Sequence, residues 1–353
     1  MVTRVTCGES KAGFIRGVVG SPFAVPLMPP RKMSVSSSPR ASSPPTRSPS
    51  GGSRARGHYG PFHALLYRET FCAWIFIAPA LFGFTVFYLL PALRAIYISL
   101  TNWSLLRAPK FIGTANYPHL WNDANFWNSM KITVLYVLYN IPIQTVIGLL
   151  LAVLLNQLGR SVILRSIILA PYLIANVIAA ILWFWMLDPI LGFGNAMLQH
   201  LGLGRIPFFS DERLALPTIA AVNIWRHMGL VALLFYTGIQ TIPRDIYEAA
   251  RIEGAGPWKS FWGITLPLLR PTMVFVLVTS IIGSFQVFDS IAVTTLGGPA
   301  NSTRTIVWYI YESAFVNFRM GYASAMSCAL FLCLAVVTLI QMRILRSGKS
   351  ELG

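Results

Sequence analysis

Six stretches of this chain, near residues 73–97, 132–155, 163–187, 216–240, 271–293 and 322–343, each run for more than 20 residues with few polar interruptions. About 20 apolar residues in a helix cross the roughly 30 Å of a bilayer's hydrocarbon, where the backbone must satisfy its own hydrogen bonds. Barrel strands would take about 10 residues each and alternate in polarity, so these runs read as helices. The expected fold is therefore an all-α membrane protein with six transmembrane helices. Composition agrees, because 11% of the residues are charged and 55% hydrophobic, whereas a soluble domain carries about 25% charged residues. A soluble enzyme and a chain disordered throughout are both excluded.

The formal net charge of +16 would suit a nucleic-acid partner, but its placement argues against one. Residues 1–73 hold ten Lys and Arg against Glu9 and Glu69, and much of the remaining charge flanks apolar runs. That distribution fits attraction to anionic lipid and orientation in a membrane. The stretch SVSSSPRASSPPTRSPSGGSRAR at 34–56 cannot bury a core. Residues 1–70 are thus expected to form a largely disordered, basic, Ser/Pro-rich tail, with the transmembrane domain at 71–345. No signal peptide is read, and Met1 and Met33 are both candidate starts. With the tail inside, Arg160, Arg165, Arg244, Arg251, Lys259, Arg270 and the C-terminal cations also fall inside. Arg107, Lys110, Lys131, Arg205, Arg213, Arg304 and Arg319 fall outside. Both termini are then cytoplasmic, and 241–270 is the longest inside loop.

Cys7, Cys72, Cys328 and Cys333 include no CxxC pair and read as small packing residues, not a disulfide or metal site. No HExxH or GxSxG motif is present. The Gly348-Lys349-Ser350 string lacks the glycine of a phosphate loop, since Arg343 stands five residues before it. The chain is expected to be a non-enzyme without cofactor or metal.

The loop reads PRDIYEAARIEGAGPWKSFWGITLPLLRP over 243–271. Its spacing predicts two short helices joined by glycine. Asp245 can cap the first, and Arg244–Glu248 and Glu248–Arg251 stand at helical pair spacing. Gly254 and Gly256 can supply a left-handed ending, and Pro257 suits the first turn of the second helix. Ala249–Ala250 leaves one face thin enough for another protein's backbone.

These residues resemble the EAA loop of permease subunits of binding-protein-dependent ABC importers. The motif stands here as Glu248-Ala249-Ala250, Glu253-Gly254-Ala255 and Ile264-Thr265-Leu266-Pro267, with Glu253 in place of the usual Asp. The stretch 284–315 and Gly321-Tyr322-Ala323-Ser324-Ala325 are similar to the carbohydrate-uptake branch, on the side of the larger maltose-importer permease. The resemblance implies a type I permease fold with its core at about 130–342 and a coupling loop at 243–268. It also implies a second permease in a heterodimer, two cytoplasmic ATPase subunits, an extracytoplasmic sugar-binding protein, and a bacterial or archaeal cytoplasmic (inner) membrane. ATP hydrolysis would then belong to the partner.

Polar side chains at membrane depth are candidates for the solute path. Asn223, Arg226 and His227 share one helical face, with Trp225 beside them. Asn and Trp suit a sugar's hydroxyls and apolar ring faces. Arg226 could instead snorkel to the outer surface. Gln286 and Asp289 also stand at helical spacing. The resemblance carries sugar-contacting positions onto Tyr172, Asn176, Asn223, Trp225, Thr279 and Gly283, of which Asn176, Thr279 and Gly283 depart from the family's residue type. Glycerol-3-phosphate or another sugar-like solute remains open. So does an ion-coupled secondary transporter, although Asp289 is the only acid within a span.

Overall fold

Helices cover five of the six apolar runs in one direction, the fifth run with a short interruption, and the third run is sharply bent. The computed structural model describes residues 69–158 and 161–346, all belonging to the unit Leu65–Gly353. The basic tail with Met33, the side chains of Cys7 and Cys72, and the Gly348-Lys349-Ser350 string lie outside the described residues. Helix α1 (Ala73–Ser99) leads through the short α2 (Asn116–Trp121) into α3 (Ala124–Gln157). Then come α4 (Val162–Leu173), α5 (Asn176–Met186), α6 (Phe193–His200) and α7 (Ala215–Gln240). The loop helices α8 (Arg244–Ile252) and α9 (Pro257–Ser260) lead to α10 (Arg270–Phe285), which resumes after a break at 286–288 as α11 (Asp289–Val293). The apolar α12 (Ile306–Val316) and the last span, α13 (Met320–Arg346), complete the chain.

Helix α3 starts well before the expected 132. Its 34 residues rise about 51 Å at 1.5 Å each, more than the hydrocarbon needs, so its polar first turns extend beyond the apolar run. Asp123 makes this possible, because its side chain accepts from the Asn125 N–H and caps the helix. The same carboxylate accepts from the Tyr309 and Tyr322 hydroxyls, each at 2.6 Å. Burial opposes its charge, but these two hydroxyls and the backbone N–H bonds outweigh it and hold the carboxyl below the usual Asp value. Asp123 thereby ties α3 to α12 and α13.

The expected single span at 163–187 is two helices meeting at 89°. Pro171 removes a backbone donor near the end of α4, and Ile174 and Ala175 are both extended. The carbonyls around the break need partners from elsewhere.

Three buried clusters hold the bundle. Leu155, Val231, Phe235, Leu269 and Val276 join α3, α7 and the start of α10 at one end. Phe126, Phe285, Ile306, Tyr322 and Met326 join α3, α10, α12 and α13 at the other. Tyr136, Ile219, Ile291 and Trp308 pack between these same elements and α11. Small residues permit the closest crossings. A Cβ on Gly229 would meet the Ile168 carbonyl oxygen of α4 well inside van der Waals contact, and one on Gly321 would meet that of Thr101. Helix α1 is apolar apart from Arg94 near its end and shows no buried residue in its most hydropathic window, so it covers the outside of the bundle. Cys328 and Cys333 are free thiols in α13.

Candidate functional site

Between α3, α5, α7 and α10 lies a partly open cavity of about 300 Å³ whose wall mixes polar side chains with Leu230, Val231, Leu234, Val276, Val287 and Phe288. Helix α3 contributes Asn140 and Gln144, one turn apart. Helix α7 contributes Asn223 and His227, also one turn apart, and α10 contributes Thr279, Ser280, Gly283 and Ser284. Asn176 opens α5, and Gln286 and Asp289 flank the break before α11. Both helix breaks therefore face the cavity. Unwound backbone at membrane depth is tolerated where it lines such a space.

Asn140 donates to Ser284 Oγ at 2.8 Å, and Gln144 reaches Ser280 Oγ at 3.4 Å. The Asn140 side-chain oxygen, Oδ1, is buried and has no partner among the described residues. Asn176 Nδ2 donates to Asp289 Oδ2 at 3.3 Å, tying the two breaks together. Thr279 spends its hydroxyl on the Phe275 carbonyl, and a Cβ on Gly283 would meet nothing within 4 Å.

Four of the sequence-derived path residues, Asn176, Asn223, Thr279 and Gly283, meet at this cavity, while Tyr172, Trp225 and Arg226 are not part of its wall. Trp225 follows Asn223 by two residues, about 200° around the helix. It packs edge-on against Trp183 and lines an apolar groove with Tyr139, Ile143 and Ala220. Tyr172 stands behind the cavity, edge-on to His227 at 5.7 Å.

Arg226 turns to the break in the third span. Its Nε donates to the Ile174 carbonyl at 2.8 Å and its Nη2 to that of Tyr172 at 3.3 Å, while its guanidinium lies over the Tyr172 ring. Nη1 faces His227 Nε2 at 3.0 Å, and His227 Nδ1 faces the Asn223 carbonyl at 3.0 Å. A guanidinium only donates and a carbonyl only accepts, so these partners assign His227 as the neutral Nδ1–H tautomer. The arginine thus replaces helix donors that the break removed. Arg226→Leu is expected to leave two carbonyls without these donors, at about 1–3 kcal/mol each. Arg226→Lys should recover part of that loss, because one ammonium lacks the guanidinium fork. Thermal unfolding of the purified protein in detergent measures both; a Leu variant as stable as wild type would remove Arg226 from this role.

Sequence reasoning passed over Asn140 and Gln144 on α3, and Ser280 and Ser284 on α10. The available signal was two polar pairs at i and i+4 inside otherwise apolar runs. Among the described residues no group of three His, Cys, Asp or Glu side chains is placed to hold a metal.

The 243–268 loop forms a second candidate surface. Helix α8 closes on Gly254, at φ +79°. The Ala255 N–H bonds the Ala250 carbonyl at 2.8 Å and the Gly254 N–H that of Arg251 at 3.0 Å, the paired closure of a left-handed helix ending. Pro257 begins α9 as expected, and a π-helical turn at Phe261–Thr265 leads through Leu266–Leu268 to α10. Asp245, expected as the cap of α8, sits inside its first turn. Pro243 takes the cap position and no side chain caps it. Among the described residues Glu248 makes no ion pair with Arg244 or Arg251. Glu248, Ala249, Glu253 and Gly254 are exposed, whereas Ala250 is buried and Ala255, Ile264, Leu266 and Pro267 are half-buried. Beside the exposed set, Ile252 is 88% and Trp258 74% exposed.

The chain is 34% identical to the lactose transport system permease protein of Rhizobium radiobacter, over 78% of this chain and 94% of that one. It is 30% identical to the sn-glycerol-3-phosphate transport system permease protein of Agrobacterium fabrum, over 79% and 96%. In fold it matches a chain of a bacterial ABC transporter that imports the acidic polysaccharide alginate. There the TM-score is 0.71 at 24% identity, covering 82% of this chain and 99% of that one. The all-α, multi-pass architecture is that of a type I ABC importer permease. Residues 144–348, more than half of the chain, match the binding-protein-dependent transport system inner membrane component family, and the chain belongs to that family.

Proposed function

We propose that this chain is the permease subunit of an ATP-driven sugar importer, contributing half of the solute path and coupling to a cytoplasmic ATPase through its 243–268 loop. The observation that carries the reading is the cluster of amide, hydroxyl and carboxylate side chains that line a partly open cavity between helix breaks, inside a bundle whose outer surface is apolar. A cavity lined by amides, hydroxyls and a carboxylate offers the donors and acceptors that a polyhydroxylated solute gives up on leaving water. Asn176, Asn223, Thr279 and Gly283 line the path, with Asn140 and Gln144 on the facing helix. Tyr172, Trp225 and Arg226 shape it from behind. Relatives named for lactose and glycerol-3-phosphate transport support a sugar or sugar-like solute.

In the loop, Glu248, Ala249, Glu253 and Gly254 present the docking face. Ala250, Ala255, Ile264, Leu266 and Pro267 fix that face to the bundle. The exposed Ile252 and Trp258 beside it suit burial by a protein partner. The assembly would contain a second, related permease, two ATPase subunits and an extracytoplasmic sugar-binding protein. In this assembly both termini and the 71–345 domain's long loop face the cytoplasm, with residues 1–70 as a basic tail. ATP closure would favour one of two helix arrangements by binding it more tightly.

Reconstitution tests the reading. The chain alone in liposomes should give no saturable uptake of radiolabelled sugars, and the assembled complex should give ATP-dependent uptake. A cysteine in place of Asn223 should react with a small aqueous thiol reagent and be protected by transported sugar. Saturable uptake by the isolated chain would favour an ion-coupled transporter. A cysteine unreactive in both inward-open and outward-open states of an active complex would remove Asn223 from the path.

A further inference from the structure

We infer that the cavity selects an uncharged polyhydroxylated solute and rejects anions, with Asp289 as the rejecting group. The inference rests on the reading of the cavity as the solute path. Asp289 is the one formally charged side chain in its wall, and no Lys or Arg among the described residues joins it. Its Oδ2 accepts from Asn176, and its Oδ1 accepts no hydrogen bond among the described residues. One carboxylate oxygen is thus available to a solute hydroxyl.

Arg226 lies near enough to interact with Asp289 electrostatically, but its guanidinium is not part of the cavity wall, so it offsets the carboxylate only in part and from behind. Arg226 donates to the Tyr172 and Ile174 carbonyls and to His227 Nε2, and it stands outside the wall. His227 is held as a neutral ring by its two partners, so it brings no positive charge. The remaining polar groups are amides and hydroxyls, which exchange hydrogen bonds with neutral hydroxyls in either direction. A carboxylate, phosphate or sulfate offers only acceptors and negative charge. It would leave water to meet Asp289 with no guanidinium or ammonium in this wall to receive it.

The experiment reads the sign of the potential in the assembled complex, where any charge brought by a second permease is included. In a background with the native cysteines replaced, Thr279→Cys is exposed to cationic, anionic and neutral methanethiosulfonates, each rate normalised to a small thiol in solution. The cationic reagent should react severalfold faster than the anionic one, below the roughly tenfold scale of one unopposed charge in a wet, partly screened space because Arg226 stands behind the wall. Asp289→Asn should bring the ratio close to one. Lactose and maltose should slow the neutral reagent, and glycerol-3-phosphate and galacturonate at equal concentration should not. Asn223→Cys serves as a second reporter should Thr279→Cys assemble poorly. Equal rates, a faster anionic reagent, a ratio unmoved by Asp289→Asn, or protection by the anionic solutes would overturn the inference. Protection by any of these solutes would still leave the sugar-path reading standing. Absence of protection by all four, or a cysteine inert to all three reagents, would overturn both.

Discussion

Gly254→Val is expected to reduce ATP-driven uptake at least tenfold while the protein still inserts into the membrane. The reason is local. Gly254 holds φ +79° at the end of α8, where a non-glycine residue costs about 1–3 kcal/mol and a β-branched one stands at the upper end. An added Cβ would meet nothing within 4 Å, so crowding does not contribute. The strain can be relieved by opening the two backbone bonds that close the helix, which would displace Glu253 from the exposed face beside Glu248 and Ala249. A graded series separates this from a general defect. Asn tolerates the left-handed region better than Ala, and Ala better than Val, so transport should fall in the order Gly, Asn, Ala, Val. Uptake into proteoliposomes and co-purification of the ATPase are the two measurements. A Val variant that retains the ATPase at wild-type stoichiometry and transports at the wild-type rate would defeat the coupling role of this loop.

The second large effect is structural. Gly229→Ala is expected to prevent α4 and α7 from closing to their native separation, because the added carbon would overlap the Ile168 carbonyl oxygen. A backbone oxygen cannot swing aside as a side chain can, so the helices must separate along the crossing. The cost should reach or exceed the upper end of the roughly 1–3 kcal/mol of ordinary overpacking. Gly283→Ala is the matched control. It is also a helical glycine, but its Cβ would point into open space, and it should gain the helix preference of Ala over Gly. Thermal unfolding in detergent should therefore move down strongly for the first substitution and stay level or rise for the second. Equal behaviour of the two would mean that the α4–α7 crossing is looser than described.

How far the sequence could be read followed from the range of each interaction. Hydropathy located every span, because membrane thickness sets the length of an apolar run whatever the helices pack against. The ending at Gly254 was legible for a similar reason: a glycine after a helical repeat, followed by Gly256-Pro257, is a local backbone instruction. The break at Ile174–Ala175 was not, since hydropathy averages over a window and both halves of the bent span are apolar. Pro171 marked the place without specifying the angle. Helical periodicity correctly put Asn223 and His227 on one face, yet could not say where the longer Arg226 side chain would go. That was decided by carbonyls about 50 residues earlier in the chain. Asp289 and Asn176, 113 residues apart, form a pair that no single-chain pattern announces. Asp245 shows the opposite limit, because a displacement of two residues at a helix start, from 245 to Pro243, was enough to exchange a cap for a first-turn residue.

The clasp between Arg226 and the bent span also bears on how the chain enters the membrane. An arginine at the centre of a single apolar helix opposes insertion by about 2.5–3.5 kcal/mol, and α7 has the lowest hydropathy of the five spans other than the bent one, 1.4. The preceding segment has the complementary defect, carbonyls exposed where its helix stops. Neither is well suited to lipid alone, and each supplies what the other lacks. Segments 162–186 and 215–240 should therefore partition into the bilayer as a helical hairpin rather than one after the other. Truncations during synthesis that end between them would leave the earlier segment poorly integrated until its partner emerges from the ribosome.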